Sequence, residues 1–327
     1  MKSSGRYLTN IFSFFGRLGR KWFSRISLAG ILLPWSSKRK RISNLLQEGS
    51  FVQVLRKGVD LLDTETQQEI RQWIISQQTD EGGFPDRAGK CDLYYSLFGF
   101  FLADALDLEM VISRLKEFVK KIGLQENLTE IDHFCLTILY ASLLPHNPKL
   151  RQLKRNILKM QGDGFLPQND YNQFLTVLSL LYLNDYLGAW RLLKSFGETF
   201  TDNHISKNTG NKNAKPCPVA AAEMLLDYIR FGKNDEKCKQ IMSFYKGGGG
   251  FSAFQDAPLP DLLSTAVALF ALRFTGCDLR NIRPECFEFI NNAYSNGGFS
   301  AGEYDLQTDV EYTFYGLLAL GALNLNP

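Results

Sequence analysis

The chain has 327 residues, of which 45% are hydrophobic and 22% charged, with a formal charge of +3. That balance is the balance of an ordinary globular protein with a sizeable core, and a chain of this length has no need of disulfides to fold. The charge is uneven: residues 1–47 carry ten Lys or Arg and no acid, which leaves the body mildly acidic and speaks against a nucleic-acid-binding surface there.

Residues 1–47 read as a basic, aromatic leader. Arg17, Arg20 and Lys21 share one face of a helix, and Phe14, Phe15, Leu18 and Trp22 spread over the other side. Such a helix suits a membrane interface, and the apolar run from Ile26 to Trp35 is too short to cross a bilayer. The expectation is a cytoplasmic protein, peripheral at the membrane through residues 1–47. An organelle transit peptide, a disordered tail, or a contact through Lys38–Arg41 with nucleic acid are the alternatives for this segment. Residues 48–327 then form one domain. Its cysteines show no CxxC pair, so all six in the chain are expected reduced.

From residue 66 onward a unit of about 38–48 residues repeats, the mark of stacked supersecondary structures. One element is a Gly-aromatic turn: Gly82-Gly83-Phe84, Gly162-Asp163-Gly164-Phe165, Gly249-Gly250-Phe251 and Gly297-Gly298-Phe299. Each follows a helical stretch, so the glycines are expected to supply a left-handed helix stop. The second element is an Asp before an apolar run, at Asp92, Asp132, Asp170, Asp261 and Asp309, which reads as an N-cap. Pro216-Cys217-Pro218 takes its place in the fourth unit, where proline suits a first helical turn. Apolar inner helices are therefore expected to begin near 92, 132, 170, 217, 261 and 309. Amphipathic outer helices precede them near 66–78, 109–121, 149–160, 185–197, 235–246 and 284–294. Six hairpins without a visible capping repeat predict an all-α, closed (α/α)6 toroid rather than an open solenoid.

Glutamine-ended helices, Gly-Gly-Phe turns and Asp-started inner helices together resemble the repeats of the terpene cyclase and protein prenyltransferase superfamily, over about residues 50–325. The resemblance implies a central cavity lined by aromatics and by the first turns of the inner helices, binding long prenyl chains. It also implies an isoprenoid or other apolar lipid as partner, and allows a partner subunit. The chemistry of that superfamily carries over poorly. Tyr312 stands where a zinc-ligating His would be, and Leu263 where the Cys would be, so neither a metal nor another cofactor is expected. Leu263 also replaces the middle acid of an Asp-x-Asp-Asp-Thr proton-donor motif.

Only Asp309-Val310-Glu311-Tyr312-Thr313 retains a carboxyl in that frame. Two readings stand side by side. Glu311, supported by Asp309 and Tyr312, is a protonated acid for alkene chemistry; or Asp309 caps a helix and Glu311 is a first-turn acid favoured by the helix dipole. Tyr94, Tyr95, Phe134, Phe174, Asp261 and Tyr304 fall near inner-helix starts and are the candidates for substrate contact. Asp132, His133 and Cys135 are too divergent on one helix to share a metal and read as a core Cys and a satisfied His. The function expected is an isoprenoid- or terpenoid-binding toroid, as a noncanonical cyclase or prenyltransferase-like enzyme, or as a non-catalytic lipid-binding scaffold. A carbohydrate-active toroid would need two opposed carboxylates that the sequence does not place.

Overall fold

A computed structural model describes residues 37–46, 49–123, 128–162, 170–193 and 215–324. The leader up to residue 36, the turn residues Asp163 to Phe165, and the stretch 194–214 lie outside the described residues. Fourteen helices are present among those described, with three two-residue β ladders. Two helices, α1 (Ser37–Leu46) and α2 (Phe51–Val59), precede the repeats. The outer helices are α3 (Thr64–Gln77), α5 (Glu109–Ile122), α7 (Leu150–Gly162), α9 (186–193 as described), α11 (Asp235–Met242) and α13 (Arg283–Asn292). The inner ones are α4 (Leu93–Ala105), α6 (Glu130–Leu143), α8 (Asp170–Tyr182), α10 (Cys217–Phe231), α12 (Leu262–Phe274) and α14 (Val310–Leu323).

The inner helices are buried nearly all round, and each packs on the next from α4 to α14, which returns to α4. The ring is therefore closed, as the repeat count predicts. Asp92, Asp261 and Asp309 cap their helices, each accepting the amide three residues on, from Tyr95, Ser264 and Tyr312 at 2.7–2.8 Å. Asp132 does not. Thr129 is the cap of α6, and Asp132 is its capping-box partner, accepting from the Thr129 backbone amide at 2.9 Å. Of Asp170 only its place as the first residue of α8 is described.

The turn glycines are also corrected. At the turns that are described they do not stop the helices; α3 ends on Gln78 in an extended conformation and α13 on Ala293 in a right-handed one. Asn296 (φ 48°) and Gly297 (φ 87°) instead form the two-residue turn of a hairpin joining β5 (Tyr294–Ser295) to β6 (Gly298–Phe299). Both positions need positive φ, which Asn-Gly supplies. The equivalent ladder before α12 pairs β3 (Tyr245–Lys246) with β4 (Gly250–Phe251), which ends the preceding outer helix at Met242 rather than near 246. Before α4, β1 (Phe84–Pro85) pairs with β2 (Cys91–Asp92) across a longer loop.

Each turn then drives its phenylalanine inward. Phe84, Phe251 and Phe299 are fully buried. Their backbone amides donate to a hydroxyl on the following inner helix: Ser96 at 2.9 Å, Thr265 at 2.9 Å and Thr313 at 3.1 Å. Three residues beyond Ser96 and Thr313, Gly99 and Gly316 leave room for the ring; a Cβ on either would fall 2.2 or 2.4 Å from it.

A second contact closes the outer ring. Gly82 lies on the backbone of Arg114 in α5, and Gly249 on that of Glu285 in α13. Gly297 repeats the contact on Glu69 of α3, the first outer helix, and Tyr294 donates to the Glu69 carboxylate at 2.6 Å.

Helices α1 and α2, not anticipated as elements, lie across the C-terminal ends of the inner helices. Arg41 donates to the carbonyls of Ile229 and Arg230 at 3.2 Å, and Arg56 to that of Asp104 at 2.8 Å. Guanidinium groups there satisfy open carbonyls and complement the negative end of the helix dipole. Gly58 and Gly321 let α2 and α14 touch backbone to backbone. One further correction concerns the thiols: Cys238 on α11 is disulfide-bonded to Cys277 beyond α12, and the other four are free. Their separation of 39 residues carries no local motif. No described helix is long and apolar enough to cross a membrane.

If the phenylalanine pins hold the ring together, Phe299→Ala should lower the unfolding free energy by about 3–5 kcal/mol. Thr313→Val, which strands a buried amide, should cost about 1–3 kcal/mol. Urea unfolding followed by circular dichroism measures both, and a loss below about 1 kcal/mol for Phe299→Ala would refute the assignment.

Candidate functional site

The inner ring encloses a cavity of about 370 Å³ that receives side chains from all six inner helices. Helical spacing selects them. Tyr94, Phe98 and Phe101 recur at i, i+4 and i+7 along one face of α4, and Leu263, Val267 and Phe270 do the same on α12. No charged side chain is part of the lining among the described residues, so the interior offers rings, aliphatic groups, the Cys135 thiol and the tyrosine hydroxyls. Burial pushes the Cys135 and Cys217 thiols well above their ordinary range, which keeps them protonated and unreactive.

The candidates drawn from sequence divide here. Tyr94, Phe134 and Phe174 line the cavity. Tyr95, Asp261 and Tyr312 do not; they belong to its rim, where the inner helices begin. Tyr304 is 77% exposed on the loop before α14 and takes no part in the cavity wall. Leu263, at the position of the missing cysteine, contributes a bare aliphatic wall. No group of three or more potential metal ligands comes together among the described residues. Near Cys135, the Nδ1 of His133 is buried without a hydrogen-bond partner, so the reading of a satisfied histidine does not hold.

Glu311 stands one residue behind the wall. Tyr94, whose ring faces the cavity, donates its hydroxyl to the Glu311 carboxyl at 2.7 Å. Burial raises the Glu311 carboxyl above its ordinary value, against the hydrogen bond from Tyr94, and the neighbouring Asp309 raises it further. Asp92 and Asp261 are raised as well, chiefly by burial. Tyr95 and Tyr312 are pushed up to about 12, first by burial and next by the Glu311 charge. The rim is thus a run of carboxyl groups held in partly dry surroundings.

One guanidinium organises it. Arg87, from the loop between β1 and β2, donates to the Asp309 carboxylate at 2.7 Å and also pairs with Asp305. It lies over the Tyr312 ring at 5.1 Å. Asp309 is therefore occupied twice, as helix cap and as counter-ion. Arg87 joins the first repeat to the last, 222 residues apart in sequence, and nothing local announces that partnership. Phe98 and Phe101 also line the cavity, at i+4 and i+7 from the predicted Tyr94, a spacing visible once the inner face is known, and Phe270 and Phe314 join them from α12 and α14.

A closed six-hairpin toroid around a cavity lined by aromatic and aliphatic side chains defines the fold class. Sequence comparison gives the family: the chain belongs to the prenyltransferase alpha-alpha toroid domain family, whose model matches residues 42–136 and 216–326. The second match spans the last two turns, the Asp261 and Asp309 caps and Glu311, and the first begins within α1 and contains Arg87 and Asp92. No curated protein matches the chain.

The raised carboxyl of Glu311 has a thermodynamic signature. The folded chain keeps a proton that the unfolded chain releases near pH 4.5. That contribution to stability is complete below about 4.5 and is lost as the pH rises through the folded value. Wild type should therefore lose stability with rising pH just above 4.5 more steeply than Glu311→Gln. Urea midpoints over a pH series give both slopes, and identical slopes would remove the shift.

Proposed function

We propose that the chain binds the hydrocarbon of a polyprenyl or terpenoid lipid in its central cavity. The observation that carries this reading is the cavity itself: uncharged, aromatic, enclosed by six helices and, at about 370 Å³, within the range of small-molecule sites, about 300–1,000 Å³. Burial of an apolar chain there is favoured at roughly 25 cal/mol per Å² removed from water. Membership of the prenyltransferase toroid family supports the same class of ligand. Contact with a membrane through residues 1–47 would bring the protein to where such lipids reside, and a partner subunit would supply whatever surface the toroid lacks.

A chemical role is favoured by one further observation, the raised carboxyl behind Tyr94. In this reading Glu311 is the acid, Asp309 fixes the helix start and the Arg87 charge, and Tyr312 packs under that guanidinium. A proton delivered to an alkene carbon by Glu311 would leave a carboxylate, stabilised by hydrogen bonds from Tyr94 and Tyr95, and a carbocation on the substrate, which loses a proton from an adjacent carbon back to that carboxylate to give the product alkene. Without such turnover the same site serves as a lipid carrier or scaffold, consistent with Leu263 and Tyr312 at the positions where zinc ligands would stand.

Filling the cavity separates ligand binding from folding. Val267→Trp should weaken binding of farnesol by at least about tenfold, or ~1.4 kcal/mol, while leaving the helical signal intact. Titration calorimetry decides this, and unchanged affinity would sink the cavity as the binding site. For the chemical role, wild type and Glu311→Gln are incubated with prenyl diphosphates and squalene-like polyenes. Loss of product in the variant is expected, and equal turnover would exclude Glu311 as the acid.

A further inference from the structure

The end of the barrel opposite the carboxyl rim holds a second, smaller cavity of about 160 Å³. Four polar side chains border it: Asn44 of α1, Lys57 of α2, Tyr228 of α10 and Arg273 of α12. No carboxyl group is part of its lining among the described residues. The Phe270 ring lies between this space and the apolar cavity and borders both.

Basic residues are ordinarily drawn to this end, because the last carbonyls of the inner helices open here. Arg41 and Arg56 are used in that way, on the carbonyls of Ile229, Arg230 and Asp104. Lys57 and Arg273 are not. Both are half-buried, and neither side chain makes a hydrogen bond or ion pair with a described residue. The carbonyls they would serve are already taken. Those of Ala271, Leu272 and Arg273 accept from the amides of Thr275, Cys277 and Gly276 at 3.0, 2.9 and 3.1 Å. The Lys57 carbonyl accepts from the Asn324 side chain at 3.0 Å. Two cations thus border one small space without the carboxylate that usually accompanies a charge withdrawn from water. The neutral groups beside them are also unspent. Tyr228 is fixed through its ring, edge-on to Phe274 at 5.4 Å and beneath Arg41 at 5.9 Å, which leaves its hydroxyl without a protein partner.

We propose that the small cavity binds a phosphate group, with Arg273 and Lys57 as its counter-ions and Asn44 and Tyr228 as neutral donors. The guanidinium offers paired N–H groups that match two phosphate oxygens, and the ammonium supplies a second positive charge for a dianion. The size agrees: at about 30 Å³ for each water-sized group, the space holds roughly five, and a phosphate is one phosphorus with four oxygens. A bound dianion also offsets the repulsion between the two cations. A free phosphate ester and the headgroup of a phospholipid present this same group. The site stands apart from the hydrocarbon cavity and does not rest on the isoprenoid reading.

Inorganic phosphate and dihexanoyl phosphatidate, a lipid phosphate soluble as a monomer, are titrated calorimetrically into the full chain at constant ionic strength. At least one of them should bind and raise the melting temperature. Lys57→Gln and Arg273→Gln should each weaken that binding at least about tenfold. Lys40→Gln, an exposed charge on α1, should leave it unchanged. Tighter binding of the phosphatidate assigns the group to a lipid headgroup, and equal affinity assigns it to a free phosphate ester. A substitution that only loosens the fold lowers the melting temperature yet keeps the rise that the ligand causes. That result, an equal loss in Lys40→Gln, or binding of neither probe by wild type overturns the proposal.

Discussion

The toroid depends on one small interaction used repeatedly: a turn phenylalanine whose ring is buried under an inner helix and whose amide is held by a hydroxyl of that helix. The hydrogen bond alone contributes modestly, about 1 kcal/mol. Its effect comes from position. It ties the end of an outer hairpin to the second turn of the next inner helix, and the Asp cap just before that helix fixes where the helix begins. The arrangement recurs before α4, α12 and α14, and Gly297 meets Glu69 where Gly249 meets Glu285. Thr265 and Thr313 have thereby a structural duty; each also donates back to the carbonyl of its own capping Asp at 2.7 Å. A threonine four residues after an Asp in this sequence need not signify acid chemistry.

The closed ring creates the environment that the rim responds to. Carboxyls gathered at the starts of neighbouring inner helices are partly removed from water, and burial raises Asp92, Asp261 and Glu311 together. Arg87 compensates only one end of this run. It pairs with Asp309 and Asp305, whereas Glu311 is drawn toward the protonated state by burial and by the neighbouring Asp309, against the Arg87 charge. The opposite end of the barrel follows the reverse rule. There arginines from α1 and α2 meet the open carbonyls of the inner helices, and Phe51 of α2 joins the cavity lining against Phe101, Phe270 and Phe314.

Much of this was legible in the residues. The helical class, the six pairs, three of the five Asp caps and the cavity roles of Tyr94, Phe134 and Phe174 follow from local pattern, because caps and amphipathic faces are properties of a few consecutive residues. The departures are local as well. Thr129 displaced Asp132 as a cap because a capping box satisfies two amides where a single cap satisfies one. The glycines went to hairpin turns because the chain reverses as a two-residue ladder after the helix has already ended.

By itself, then, the sequence determined the repeat, most of the helix starts and the class of fold. Only the tertiary structure decided which ends meet: Arg87 with Asp309, Tyr94 with Glu311, Cys238 with Cys277, and Phe51 beneath the six helices. Each of these joins residues separated by tens to hundreds of positions, and their encounter depends on the accumulated angle between successive hairpins. Ring closure sets that angle, and no single window of the chain contains it.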